Sequence, residues 1–126
     1  MSYPHEYYYT KDHEWISYQD KVAIVGITEF AQSELGELVF VDLPKIAAQV
    51  SAGGAFCVVE STKAASDVYA PVTGKVLEVN TTLTSEPNLI NKDPHQAGWI
   101  AKLVDVSEDE IKKLLTQSQY LELVGA

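Results

Sequence analysis

Cysteine is almost absent from this chain: Cys57 stands alone, so no internal disulfide can form. It sits in Ala55-Phe56-Cys57-Val58-Val59 with no activating base or cation beside it, and reads as a small buried hydrophobe. Histidine is scarce as well. His5, His13 and His95 fall at no metal-ligand spacing with one another or with Cys57, so no zinc site is expected. No apolar run approaches the roughly 18 residues of a membrane span. The first residues, Met1 to Glu6, lack the basic-then-apolar order of a secretory signal and the arginine richness of an organellar transit segment. Positive charge is short. Nine Lys and Arg face 18 Asp and Glu, and the net charge of −9 opposes nucleic-acid binding and anionic membrane surfaces. Neither a Gly-x-Ser-x-Gly elbow nor a phosphate-cradling glycine loop is present, and no catalytic constellation is persuasive.

What remains is a soluble globular composition, 46% hydrophobic over 126 residues, enough for one domain spanning 1–126 with a modest core. Residues 1–8, rich in tyrosine, are expected to form a loosely packed leader. Two strands, 14–18 and 21–27, are read as joined through Gln19-Asp20, with both faces of the second covered. Thr28 is the expected N-cap of a short helix that Gly36 stops. Glu37 to Leu43 forms a strand ended by Pro44, Lys75 to Asn80 another, and Gly98 to Val104 a third. Thr81 to Ala97 reads as a long connection with at most one helical turn. Residues 107–125 change character, with Ser107/Glu110 and Thr116/Gln119 spaced as capping boxes of two short helices. Gly36-Glu37-Leu38-Val39-Phe40-Val41 is echoed by Gly74-Lys75-Val76-Leu77-Glu78-Val79, which predicts two similar β-units about a pseudo-two-fold axis.

One unit carries a lysine in a distinctive setting. Ala55 to Val59 climbs toward Lys63, Val68 to Ala70 descends from it, and Pro71-Val72-Thr73-Gly74 is a turn signal. Lys63 is therefore read as the tip of a β-hairpin with small flanking residues, open to another protein's active site. On local pattern alone an ordinary solvated lysine explains the same residues. As a carrier, the lysine would lose its charge on acylation, leaving Glu60 and Asp67 to make the tip acidic. A group tethered there would be held at high effective concentration near each partner.

The blocks Tyr9-Thr10-Lys11-Asp12-His13-Glu14-Trp15-Ile16, Val25-Gly26-Ile27-Thr28-Glu29-Phe30-Ala31-Gln32 and Leu35 to Pro44 resemble the lipoyl-carrying H protein of the glycine cleavage system. So do Val59-Glu60-Ser61-Thr62-Lys63-Ala64, Ser66 to Gly74, Leu89 to Pro94, Gly98-Trp99-Ile100 and Leu114-Leu115-Thr116 with Tyr120. Any one block is weak, but their order and spacing over nearly the whole chain are specific. The resemblance implies a mostly β barrel-sandwich hybrid of two small antiparallel sheets with short helices and a helical C-terminus.

It also implies lipoate in amide linkage to Lys63, and a non-catalytic carrier. The expected partners are glycine decarboxylase (a pyridoxal-phosphate enzyme), the tetrahydrofolate-dependent aminomethyltransferase, dihydrolipoamide dehydrogenase and a lipoyl-modifying enzyme. By the same resemblance, Glu60 and Gly74 match positions that help the modifying enzyme read the hairpin. Glu14 and Asp67 match acidic positions beside a cleft where the loaded arm rests. A bacterial cytoplasm is the expected compartment, or the mitochondrial matrix for a eukaryotic chain. Two positions depart from the family pattern: Thr62 stands where valine commonly precedes the lysine, and Cys57 where a smaller residue is common. Three other readings stay open: a biotin carrier, which would usually flank the lysine with methionine; a lipoyl relay for other complexes; and an unmodified binding domain.

Overall fold

The computed structural model of the chain describes residues 3–125. Nine strands are distributed over two sheets. They are β1 (Tyr8–Tyr9), β2 (Glu14–Gln19), β3 (Val22–Ile27), β4 (Leu38–Asp42), β5 (Gln49–Val50), β6 (Ala55–Ser61), β7 (Ala65–Tyr69), β8 (Gly74–Val79) and β9 (Ala101–Val104). The larger sheet runs β1-β2-β3-β9-β8-β5 and the smaller β4-β6-β7, with every pairing antiparallel. Five short helices join them: α1 (Glu29–Leu35), α2 (Thr82–Ser85), α3 (Leu89–Lys92), α4 (Glu108–Lys112) and α5 (Gln117–Val124). The expected mostly β, two-sheet architecture with a helical C-terminus holds, although the two sheets differ in size.

Strand alternation sets which side chains the sheets share. Val41, Val59 and Val68 of the smaller sheet meet Ile27 and Ala101 of the larger one, closed over by Leu83 of α2 and Ile90 of α3. Cys57 belongs to this core, and burial pushes its thiol up to about 12, with the Asp42 carboxylate adding to the effect. The thiol is inert packing. A second cluster joins Ile16, Val25, Val76 and Leu103 to Ile111 of α4. The sequence echo has a topological meaning: β4 pairs with β6 and β8 with β9, so each copy meets the strand following its glycine, in a different sheet.

Several expectations need correction. Residues 3–8 are not loosely packed. The Tyr7 ring stacks on Trp15 at 4.8 Å, its hydroxyl donates to the His95 carbonyl at 2.9 Å, and Tyr3 packs against Tyr9 and Tyr120. Aromatic area offsets the ordering of such a segment, which a count of its polar residues misses. Residues 1 and 2 of that leader lie outside the described residues. The β2–β3 turn is Asp20-Lys21, both at positive φ (52° and 64°), a two-residue hairpin turn matched to strand twist. The connection over 81–97 holds two single-turn helices, α2 and α3.

The capping devices also differ. Thr116 and Gln119 make the full reciprocal capping box. Ser107 accepts the Glu110 N–H, but the Glu110 carboxylate turns away to Thr73, whose N–H and hydroxyl donate to it at 2.7 and 3.1 Å. That cap is half a box, because the carboxylate ties α4 to the β7–β8 turn instead.

Candidate functional site

The Lys63 hairpin is built as expected, with β6 and β7 paired from Ala55↔Tyr69 to Glu60↔Ala65. Thr62, Lys63 and Ala64 are exposed at its tip. One side chain shapes that tip. Ser61 Oγ accepts the N–H of Lys63 at 3.1 Å and of Ala64 at 3.2 Å, while Ser61 N–H donates to the Ala64 carbonyl at 2.8 Å. A serine hydroxyl standing in for a main-chain acceptor is ordinary turn chemistry. Ser61 is a site residue that the sequence reading quoted only as part of a block; its signal was a hydroxyl residue two positions before an exposed tip.

The Lys63 side chain lies over Gly36. A β-carbon built at Gly36 would stand 3.2 Å from Lys63 Cε and 3.8 Å from Nζ. Gly36 also holds φ 84°, ψ −165° at the end of α1, a conformation essentially confined to glycine. Its freedom therefore serves two purposes, ending the helix and giving the lysine stem a path. Leu35, the residue before it, lines a cleft of about 270 Å³.

That cleft has one apolar and one acidic side. Ile27, Phe30, Leu35 and Val59 give it hydrocarbon walls, and both Glu14 and Asp67 line it, together with Asp12, His13 and Glu34. The two acidic residues singled out in the sequence, distant along the chain, thus face one space. Their environments differ. Asp67 is exposed on β7, whereas Glu14 is 3% exposed at the start of β2. Burial raises the Glu14 carboxyl to about 7, opposed by a hydrogen bond from Thr10 and helped by the nearby Asp12 charge. Thr10 fixes the group locally: its hydroxyl donates to Glu14 Oε1 at 2.7 Å and accepts the Glu14 N–H at 3.1 Å. A second cleft of about 260 Å³, lined by Lys11, Tyr69 and Lys113, opens on the other side of Asp12 and Glu14. The carboxyl therefore sits between two hollows.

Glu60 is half-buried on β6, between Phe40 of β4 and Ala65 of β7, three residues before the lysine. Gly74 is not brought to the tip. It opens β8, beyond the far end of β7, a strand on the order of 15 Å long. A β-carbon there would meet Val106 Cγ1 at 2.8 Å and the Val104 carbonyl oxygen at 2.9 Å, so close packing alone requires glycine. Among the described residues no group of three or more His, Cys, Asp or Glu is arranged to hold a metal ion. No helix among them is long and apolar enough to cross a membrane.

Comparison with known proteins agrees with this geometry. The family model described as glycine cleavage H-protein matches residues 7–126. The glycine cleavage system H protein of Thermotoga maritima is 52% identical over 114 residues, covering 90% of this chain and 92% of that protein. Its counterpart in Listeria monocytogenes is 48% identical over 120 residues, with 95% and 96% covered. The crystal structure of a glycine cleavage system H protein from Mycobacterium marinum superposes with a TM-score of 0.89 at 40% identity, covering 98% of this chain and all of that one. With its blocks in order, its hairpin lysine and its acid-lined cleft, the chain belongs to the glycine cleavage H-protein family.

Proposed function

We propose that this chain is the lipoyl carrier of a glycine cleavage system, modified at Lys63, and that it catalyses no bond change itself. The observation that carries the reading is the placement of Lys63. Its amine is exposed on a hairpin of small residues, and its stem lies along Gly36 toward a cleft that ends at a buried carboxyl. The residues present fit a lipoyl group: an amine free to form the amide, apolar walls for a hydrocarbon arm, and carboxylates beyond them. Bound there, lipoate supplies a dithiolane that takes up and gives back the aminomethyl group of glycine.

The chain's own residues then have three tasks. Ser61 holds the tip open to the lipoyl-modifying enzyme, with Glu60 as the acidic mark three residues before the lysine. Ile27, Phe30, Leu35 and Val59 exclude water from the arm. Glu14 and Asp67 hold the cationic amine end by charge, and a cation beside Glu14 favours loss of its proton, since an opposite charge stabilises the carboxylate. Gly74 serves this scheme through packing at the base of the hairpin. The partners in this reading are glycine decarboxylase, which loads the arm, aminomethyltransferase, which unloads it, and dihydrolipoamide dehydrogenase, which reoxidises the dithiol. A bacterial cytoplasm is the compartment it implies.

Intact mass spectrometry of the protein from its native cell, grown with lipoate, tests the modification. A mass increased by one lipoyl group, mapped to Lys63, supports the carrier reading; an unmodified Lys63 overturns it. Retention of the loaded group tests the cleft: Glu14→Gln with Asp67→Asn is expected to speed its release, and an unchanged rate sinks the assignment of those two carboxylates.

A further inference from the structure

Tyr120 is the residue whose placement goes unused by the carrier reading. It lies on α5, near the end of the chain, and is fully buried. Its ring stacks on Tyr9 at 4.9 Å and 12°. Its hydroxyl touches two different elements: His13 Nδ1 at 2.8 Å and Thr28 Oγ1 at 2.7 Å. Those two residues belong to opposite walls of the cleft. His13 sits at φ 71° in the β1–β2 turn that ends at Glu14, and its ring packs 4.7 Å from Phe30. Thr28 caps α1, whose Phe30, Ala31, Glu34 and Leu35 form the other wall and whose stop, Gly36, lies under Lys63.

The donors and acceptors form a continuous chain. Ala31 N–H donates to Thr28 Oγ1 at 3.2 Å. The Thr28 hydroxyl is then free to donate to Tyr120 Oη, and the Tyr120 hydroxyl to donate to the unprotonated His13 Nδ1. Burial lowers the His13 pKa, which favours that neutral ring. In this order each hydroxyl gives one bond and takes one, so no buried polar atom in the chain is left over.

We infer that Tyr120 is a positioning residue for the cleft: its hydroxyl pins the Glu14-bearing turn to the start of α1 and so sets the separation of the two walls. The inference rests on the carrier reading only for its consequence, sheltering of the loaded arm. Its structural content concerns the unmodified chain. Near Glu14 the charged groups that bear on the cleft are Asp12, Glu34 and Asp67 on one side and Lys11 and Lys113 on the other. None of them belongs to the Tyr120 hydrogen-bond chain, so removing one hydroxyl leaves the local charge unchanged.

The test is Tyr120→Phe, which keeps the ring and its stacking, measured in two ways. In the unmodified chain, carbon-13 titration of Glu14 is expected to move from about 7 toward the ordinary carboxylate range as water enters. In the lipoylated chain loaded from glycine, release of the aminomethyl group in the absence of the transferase is expected to speed up roughly fivefold, as for loss of one hydrogen bond. The rate of Lys63 lipoylation is expected to stay unchanged.

His13→Phe removes the same bond from its other end and carries the test if Tyr120→Phe fails to fold. The double variant is expected to be no worse than either single one, because both break one link. Effects that add, or a Glu14 titration and release rate that do not move, overturn the inference. Glu14→Gln with Asp67→Asn, run alongside, separates it from the carrier reading. If those changes leave release unchanged while Tyr120→Phe still shifts Glu14, the shelter fails and the positioning role stands.

Discussion

The hairpin tip and the cleft floor present their key groups in opposite ways. At the tip, Thr62, Lys63 and Ala64 are exposed, and one serine hydroxyl shapes the turn. At the floor, Glu14 is buried, bonded by the Thr10 hydroxyl, and its turn is tied to α5 through His13 and Tyr120. The contrast follows from what each must do. A residue that another enzyme modifies has to be reachable, and exposure costs little because water satisfies its polar groups. A carboxyl meant to hold a cation away from water has to be dry, and keeping it dry costs stability whenever it is charged. The tip should thus be easy to disable functionally and hard to destabilise, and the floor the reverse.

The sharpest break comes at the lysine. Lys63→Arg keeps a positive charge at the tip but offers no amine for the amide, and complete loss of the lipoyl mass increment is expected. Thermal denaturation should be unchanged within error, since surface substitutions usually fall within about 0.5 kcal/mol. A folded Lys63→Arg chain that still gains the lipoyl mass would move the site elsewhere.

At the floor the large effect is on stability, and its sign depends on pH. The Glu14 carboxyl is raised in the folded chain from 4.5 to about 7, so the folded state holds its proton more tightly than the unfolded one. The stability this provides is complete below 4.5 and is lost as pH rises through 7. A shift from 4.5 to about 7 corresponds to at most about 3 kcal/mol. Glu14→Gln, which cannot ionise, should match the parent chain near pH 4.5 and exceed it increasingly toward pH 8. Denaturant titrations at the two pH values check this, and a pH-independent difference would mean that Glu14 is not dry.

Gly74 offers a test between packing and recognition. Gly74→Ala forces a β-carbon against Val106 and the Val104 carbonyl, and about 2 kcal/mol of destabilisation is expected from overpacking. Lipoylation of the remaining folded chain at low temperature should proceed at the parent rate. A stable variant that is lipoylated slowly would return Gly74 to the recognition surface.

The legible parts of this structure were those governed by local rules. Strand alternation, the Thr28 and Thr116 caps and the glycine stop at Gly36 read directly, and the Lys63 hairpin followed from two apolar runs with small residues between them. Full-length resemblance then linked Glu14 to Asp67, a pairing that spacing alone could not reveal. Features that depend on tertiary partners stayed hidden. Tyr3 and Tyr7 looked like a loose leader because nothing local shows that Trp15, Tyr9 and Tyr120 supply their aromatic contacts. Glu110 matched a capping box, yet its carboxylate was claimed by Thr73, 37 residues away. Tyr120 carried no local signal at all, because both partners of its hydroxyl come from the first third of the chain.

The smallest expected effect tests the other half of the contrast. Ser61→Ala removes the acceptor for two tip N–H groups, but both are exposed and can turn to water. Stability should therefore fall by less than about 1 kcal/mol. Display should suffer more than folding does. Without the hydroxyl, Lys63 samples many tip conformations, and the modifying enzyme must select the competent one, which lowers kcat/KM in proportion to its population. A fall of roughly fivefold is expected for one lost hydrogen bond, with recovery in Ser61→Thr, which keeps the acceptor. Lipoylation kinetics and denaturation of the same samples decide between roles. If Ser61→Ala were lipoylated normally but melted several degrees lower, the serine would belong to the fold, and the tip would be held as firmly as the floor.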